Sequence, residues 1–185
     1  MARRTGNRKP LARAAAPADA DEGGSPGASR PGGSPRLASW RSPVTLAMTR
    51  QERESFLSDV HVGILSIPEE GRGPLTVPVW YTYEAGELRF VTARTSRKGR
   101  LLERAGRISL CVQTETSPYK YVSIEGPIIA IEPADLERDR RPLARRYLGT
   151  DAGDAYIEET RDEHAANVLV RVRPERWLTV DYAKE

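Results

Sequence analysis

Residues 88–104 limit the possible folds of this chain more than any other stretch. Leu88-Arg89-Phe90-Val91-Thr92 is aromatic and β-branched and follows the turn signal Glu84-Ala85-Gly86, which predicts a strand. Leu101, Leu102 and Ala105 then fall on one face at helical spacing, with Ser96 placed to accept a hydrogen bond from a free N–H of the first turn. A strand, a tight turn and a helix must therefore follow one another here. The helix opens on Arg97 and Lys98, with Arg94 just upstream and nothing acidic before Glu103. A helix N-terminus carries roughly half a positive charge, so each cation there costs about 0.3–1 kcal/mol. A bound anion would resolve the conflict, because free N–H groups, a guanidinium and an ammonium would share one phosphate. A solvated basic face is the competing reading of the same residues.

Short strand patterns recur on both sides of this segment. Thr49-Arg50-Gln51-Glu52 forms a capping box for a short helix that buries Phe56, Leu57 and Val60 and runs to about Asp59. Strands are expected over 61–67, 75–83, 107–115, 119–131, 167–172 and 177–182, besides the one at 88–92. Pro78 cannot donate to a ladder, which makes 75–83 an edge strand or a bulged one. A broken ladder there would leave backbone groups of Val77, Val79 and Trp80 free for a planar ring, although the residues alone favour packing for Trp80. Gly126-Pro127 predicts a bend in the long strand, whose alternation puts Tyr121, Ser123 and Glu125 on one face and Val122 and Ile124 on the other. Residues 133–149 read as helix broken at Pro142, and 151–164 as a polar covering helix. Arg140, Arg141, Arg145 and Arg146 read as a solvated, ion-paired face beside Glu132, Asp135, Glu137 and Asp139. The fold class is mainly β with flanking helices (α+β), six to seven antiparallel strands closing into a small barrel.

Composition separates a tail from a domain. Residues 1–43 are rich in Pro, Gly, Ala, Ser and Arg and poor in large apolar side chains, which predicts disorder. This stretch holds eight Lys/Arg and three Asp/Glu, so its net charge is +5. The whole chain is +3, which leaves −2 on the domain at 44–185. The basic character belongs to the tail, which weakens a nucleic-acid role for the fold. A nucleic-acid or membrane-surface arm, a targeting peptide and a dispensable extension compete for the tail. The last is preferred, with Met48 as a candidate start. One cysteine rules out an intramolecular disulfide, and no apolar run approaches a membrane span, so a cytoplasmic location is expected. Two histidines, His61 and His164, and Cys111, read as a buried small hydrophobe, provide no metal-ligand spacing. No G-x-S-x-G, Walker A or G-x-G-x-x-G motif occurs. Chemistry on such a chain needs a cofactor.

The run Phe90–Gly99, with Ser96-Arg97-Lys98 opening a helix, resembles the flavin-phosphate segment of the pyridoxamine 5′-phosphate oxidase family. The resemblance continues through Leu101–Val112 and extends over roughly 49–184, taking in Val77-Pro78-Val79-Trp80 and Arg145-Arg146-Tyr147-Leu148-Gly149. It implies an FMN-binding split β-barrel, a homodimer with the cofactor at the subunit interface, and an oxidoreductase acting on a small organic substrate. Arg97 and Lys98 would clamp the phosphate, Ser96, Thr92 and the helix N-terminus would donate hydrogen bonds, and Val79 and Trp80 would flank the ring, with the backbone of Val77 on the same strand also in contact. Tyr121 stands where the family often carries a glutamine reaching the flavin. Relatives in this superfamily use the deazaflavin coenzyme F-420, which is the alternative cofactor. A non-catalytic flavin or haem carrier is the alternative class. The end of the chain, Val180–Glu185, lacks the Arg-Leu-rich segment of the authentic oxidases, which argues against pyridoxamine phosphate as substrate. No residue stands out as a catalytic acid, base or nucleophile.

Overall fold

The structure, a computed structural model, describes residues 45–162 and 166–185. The expected disorder of 1–43 and the expected end of a helix at His164 lie outside the described residues. The domain opens with α1 (Arg50–Ser58), where the capping box forms as expected: Thr49 Oγ1 accepts from Glu52 N, and the Glu52 carboxylate accepts from Thr49 N. Residues just upstream are tied to the last strand, since Leu46 O accepts from Asp181 N and Met48 N donates to Thr179 Oγ1.

Eight strands follow: β1 (Gly63–Ile67), β2 (Leu75–Val79), β3 (Thr82–Glu84), β4 (Glu87–Ala93), β5 (Arg107–Gln113), β6 (Lys120–Pro133), β7 (Asn167–Val172) and β8 (Arg176–Asp181). All pair antiparallel in the order β2-β1-β5-β6-β7-β4-β3, with β8 added to β6. The curled sheet is a split barrel, as expected, with one strand more than the sequence counted. The extra strand arises because 75–83 is two strands separated by Trp80 and Tyr81. Pro78 does place β2 at the sheet edge, but the ladder to β1 runs through it, pairing Val77 with Leu65 and Val79 with Gly63. An antiparallel ladder alternates bonded and non-bonded pairs, and proline fits only the non-bonded position opposite Ile64. The open edge therefore carries the backbone of Pro78 and its alternate neighbours rather than that of Val77 and Val79.

β6 joins the two halves of the barrel. Lys120–Glu125 pairs with β8, Tyr121–Pro127 with β5, and Ile128–Pro133 with β7. The register shifts between Ile128 and Ala130, just past the bend predicted at Gly126-Pro127. The expected alternation holds: Val122 and Ile124 enter the core while Tyr121 and Ser123 face outward. The core is one cluster built from Leu57, Leu65, Ile67, Tyr81, Leu88, Phe90, Leu110, Val112, Val170 and Val172, all essentially inaccessible. Cys111 alternates to the opposite face from Leu110 and Val112 and is only half-buried, so it is not the core hydrophobe the sequence predicted.

The helices complete the unit. α2 (Arg97–Ala105) follows β4, a π-helical turn (Leu136–Arg140) leads into α3 (Arg141–Leu148), and α4 (Thr150–Glu159) returns against α3. Pro142 sits in the first turn of α3, the position that tolerates proline, and marks the break expected in 133–149. Gly153 permits the close α3–α4 approach, since a Cβ there would press on the backbone of Arg145.

Candidate functional site

A cavity of about 450 Å³ lies between β2, β4 and β7 on one side and the α3–α4 hairpin on the other. Pro78, Val79 and Trp80 form its β2 wall, Val91 and Asn167 come from β4 and β7, and Lys98 comes from the start of α2. Leu143, Ala144, Tyr156 and Ile157 form the helical roof, and Arg140 enters from the π-helical turn. Val62 lies at the same opening and is half-exposed. Among the described residues the lining is mostly apolar and holds two cations and no carboxylate.

Trp80 is held by aromatic packing. Its ring stacks on Tyr147 with centroids 5.0 Å apart and an interplanar angle of 7°, and Tyr156 meets it edge-on at 5.9 Å. The Tyr147 hydroxyl also repairs the gap between β2 and β3. It accepts from Tyr81 N at 3.0 Å and lies 3.1 Å from Tyr81 O and 2.7 Å from His61 O, its proton serving those carbonyls. One phenol thus satisfies backbone groups that the strand break would strand in a semi-buried place.

The three cations at the start of α2 do not converge. Arg94 pairs with Glu103 at 2.6 Å and Arg97 with Glu69 at 2.5 Å, each about half-exposed. Lys98 alone turns into the cavity, half-buried and without an acidic partner among the described residues, and burial lowers its pKa from the ordinary lysine value. Ser96 is the N-cap the sequence predicted: its hydroxyl accepts from Gly99 N at 3.0 Å and donates to Ala93 O at 2.7 Å. Gly99 is needed here because a Cβ would collide with the carbonyl oxygens of Ala93 and Arg94.

Of the residues singled out in the sequence, Val79, Trp80 and Lys98 line the cavity. Ser96 and Arg97 lie beside it at the helix start. Thr92 is on the core face of β4, 5 % exposed, and the cavity side of that strand belongs to its neighbour Val91. Val77 lies further along β2, and Tyr121 sits on the outer face of β6 opposite Gln113 and Val180. Sequence reasoning missed Tyr147, Tyr156 and Asn167 as cavity or support residues. Tyr147 lay inside the Arg-Arg-Tyr-Leu-Gly run already noted, and its spacing from Trp80 gave no sign of contact.

The arginine-rich stretch is only partly the solvated face expected. Arg141 reaches Glu137, Asp154 and Glu158, and Arg145 reaches Asp154, so the partners come largely from α4 rather than from upstream acids. Arg146 donates to Ser58 O and Asp59 O. Arg140 departs from the pattern altogether: it is 6 % exposed, and burial lowers its pKa from the ordinary arginine value. Among the described residues no group of three His, Cys, Asp or Glu is placed to hold a metal ion, and no helix is long and apolar enough to cross a membrane.

The pyridoxamine 5′-phosphate oxidase family model matches residues 49–181, and the chain belongs to that family. No curated protein matches the sequence. Solved structures agree on the fold. A conserved hypothetical protein from Mycobacterium tuberculosis is 25 % identical, with a TM-score of 0.62 over 75 % of this chain and 88 % of that one. A structure described as an F420 reductase is 22 % identical, with a TM-score of 0.56 over 68 % and 94 % of the two chains. A FAD-binding protein from Mesorhizobium loti is 20 % identical, with a TM-score of 0.52 over 72 % and 94 %.

Proposed function

We propose that this protein is an oxidoreductase that binds FMN in the cavity beneath the α3–α4 hairpin and exchanges hydride with a small organic substrate. The observation that carries this reading is Lys98, an ammonium drawn half out of water with no carboxylate among the described residues to balance it, at the edge of an apolar, aromatic-walled cavity. Such a group is stabilised by an anionic ligand. Lys98 would hold the phosphate, assisted by the free N–H groups at the start of α2 and by Arg97 exchanging Glu69 for the ligand. Val79, Trp80 and the β2 backbone around them would lie along the ring, with Val77 extending that wall. Trp80 is fixed by Tyr147 and Tyr156, so the ring would meet a preset surface. Thr92 would act by fixing the strand end that precedes the phosphate turn. A bound flavin supplies hydride transfer at its ring; the chain's own residues bind it, orient it and exclude water.

The homodimer expected of the family has a candidate surface. The outer face of the β2-β1-β5-β6-β8 sheet carries Ile64, Cys111, Tyr121 and Leu178, with Leu178 61 % exposed. Pairing two copies there would cover that apolar area and place Tyr121 near a shared cofactor. A deazaflavin of the F-420 type is the second reading, favoured by the likeness of fold to the F420 reductase. The test is mass spectrometry of the small molecule released from the purified protein, with its visible spectrum followed during reduction. Released FMN, bleached by reductant and restored by an acceptor, supports the enzyme. A released deazaflavin supports the second reading. Failure to bind either on direct titration rejects both, and binding without turnover by any donor leaves a carrier.

A further inference from the structure

We propose that Arg140 binds a second anionic group in the cavity, a carboxylate or phosphate distinct from the phosphate assigned to Lys98. The proposal rests on the reading of that cavity as a cofactor site. Arg140 comes from a different element than Lys98, the π-helical turn rather than the start of α2. The carboxylates nearby are held by other groups. Asp139 is taken by Arg138 and by Asp135 N, Asp154 is divided between Arg141 and Arg145, and Glu137 and Glu158 are held by Arg141. Arg140, the most buried of the set, has no acidic partner among the described residues. Among the described residues only its Nη2 is engaged, by long contacts to Thr160 O at 3.3 Å and Thr160 Oγ1 at 3.4 Å.

A largely buried guanidinium without a counter-ion among the described residues is a costly group for the fold to hold, and its free nitrogens open on the cavity. Nε and Nη1 remain for a ligand, and a planar fork suits the bidentate geometry of carboxylate or phosphate. The side chain lines the cavity, where no carboxylate competes and the neighbours are Tyr156, Ile157 and Leu143. Repulsion from Arg161 adds to the local positive potential. The second anionic group belongs either to an acidic substrate or to an acidic extension of the cofactor. These sources share the same chemistry at Arg140.

The test uses the full chain with Arg140→Gln, Arg140→Lys and Thr160→Val. FMN and coenzyme F-420 are titrated into each, and inorganic phosphate and benzoate are titrated into the FMN-loaded protein and read by perturbation of the flavin spectrum. If the substrate carries the group, Arg140→Gln leaves FMN affinity within about twofold and weakens the anion response by about tenfold or more. If the cofactor carries it, Arg140→Gln weakens F-420 by about tenfold and leaves FMN, whose single phosphate is assigned to Lys98, within about twofold. Arg140→Lys keeps the charge without the fork and should fall between wild type and Arg140→Gln, which keeps the test usable if the glutamine variant misfolds. Thr160→Val should bind as wild type does. Unchanged binding in Arg140→Gln and Arg140→Lys, or an equal loss in Thr160→Val, overturns the proposal and leaves Arg140 as an anchor for α4. Should wild type bind no flavin of either kind, calorimetry with phosphate on the cofactor-free protein separates the two readings. Phosphate binding lost in Arg140→Gln upholds this site while the cofactor assignment falls; its absence in wild type removes both.

Discussion

Two arginine-rich helix starts stand in this chain, and their sequences promise the opposite of what each delivers. Arg94, Arg97 and Lys98 look like a convergent anion clamp, yet the two arginines face carboxylates at half-exposed positions and only the lysine looks inward. Arg138–Arg146 looks like a surface face, yet it turns Arg140 into the same cavity while Arg141 and Arg145 fasten α3 to α4. The difference lies in who supplies the acids. A cation's role follows from which carboxylates the fold brings within reach, not from the density of charge around it in the sequence.

That comparison can be broken at several points. The largest effect is expected from Gly99→Ala, which drives a Cβ into the carbonyls of Ala93 and Arg94 and displaces the start of α2. It should cost about 3 kcal/mol of stability, read by urea unfolding. Lys98→Met is expected to weaken FMN binding by about 2 kcal/mol, whereas Arg97→Ala should cost about 1 kcal/mol, because Arg97 must first give up Glu69 to reach the ligand. In a binding titration, an unchanged affinity in Arg97→Ala would mean that Arg97 stays with Glu69 when ligand arrives and that Lys98 holds the phosphate without it. Tyr147→Phe leaves Tyr81 N without its partner and should cost about 1.5 kcal/mol, with a change in Trp80 fluorescence as its stack loosens. The smallest effect is electrostatic. Arg145 first, and then Arg141, hold the Asp154 carboxyl at about 2, below its ordinary 3.8. Its contribution is therefore complete above that ordinary value and is lost as pH falls through the window down to about 2. Denaturation across that range should show a steeper loss in wild type than in Asp154→Asn.

Local rules carried much of the fold. The capping box at Thr49, the cap at Ser96, the outward alternation of Tyr121 and Ser123, and the edge position forced by Pro78 were all legible, because each depends on a few adjacent residues. The break at Trp80-Tyr81 was not. Nothing local ends the strand there, and the phenol that satisfies its backbone comes from Tyr147, 66 positions away. Arg140 escaped for the same reason. Its neighbours in sequence are acidic, but Arg138 and Arg141 capture those acids, aided by residues of α4 that no short window can place. Cys111 was read correctly as a strand residue and wrongly as a core one, although the alternation of Ile108, Leu110 and Val112 with Arg107, Ser109 and Gln113 already puts it on the outer face. At the cavity, Lys98, Trp80 and Val79 were singled out through resemblance and chemistry together and do line it, while the roof was invisible until α3 and α4 were folded over it.

The long strand β6 has a consequence for how the molecule reaches a single state. It belongs to both halves of the barrel, so a slip of one position along it would invert Val122 and Ile124 and also displace β7, whose first residue Asn167 borders the cavity. A misthreaded chain would then lose its interior and its ligand chamber in one event. Correct threading of this strand is thus a common checkpoint for the interior and for the cavity.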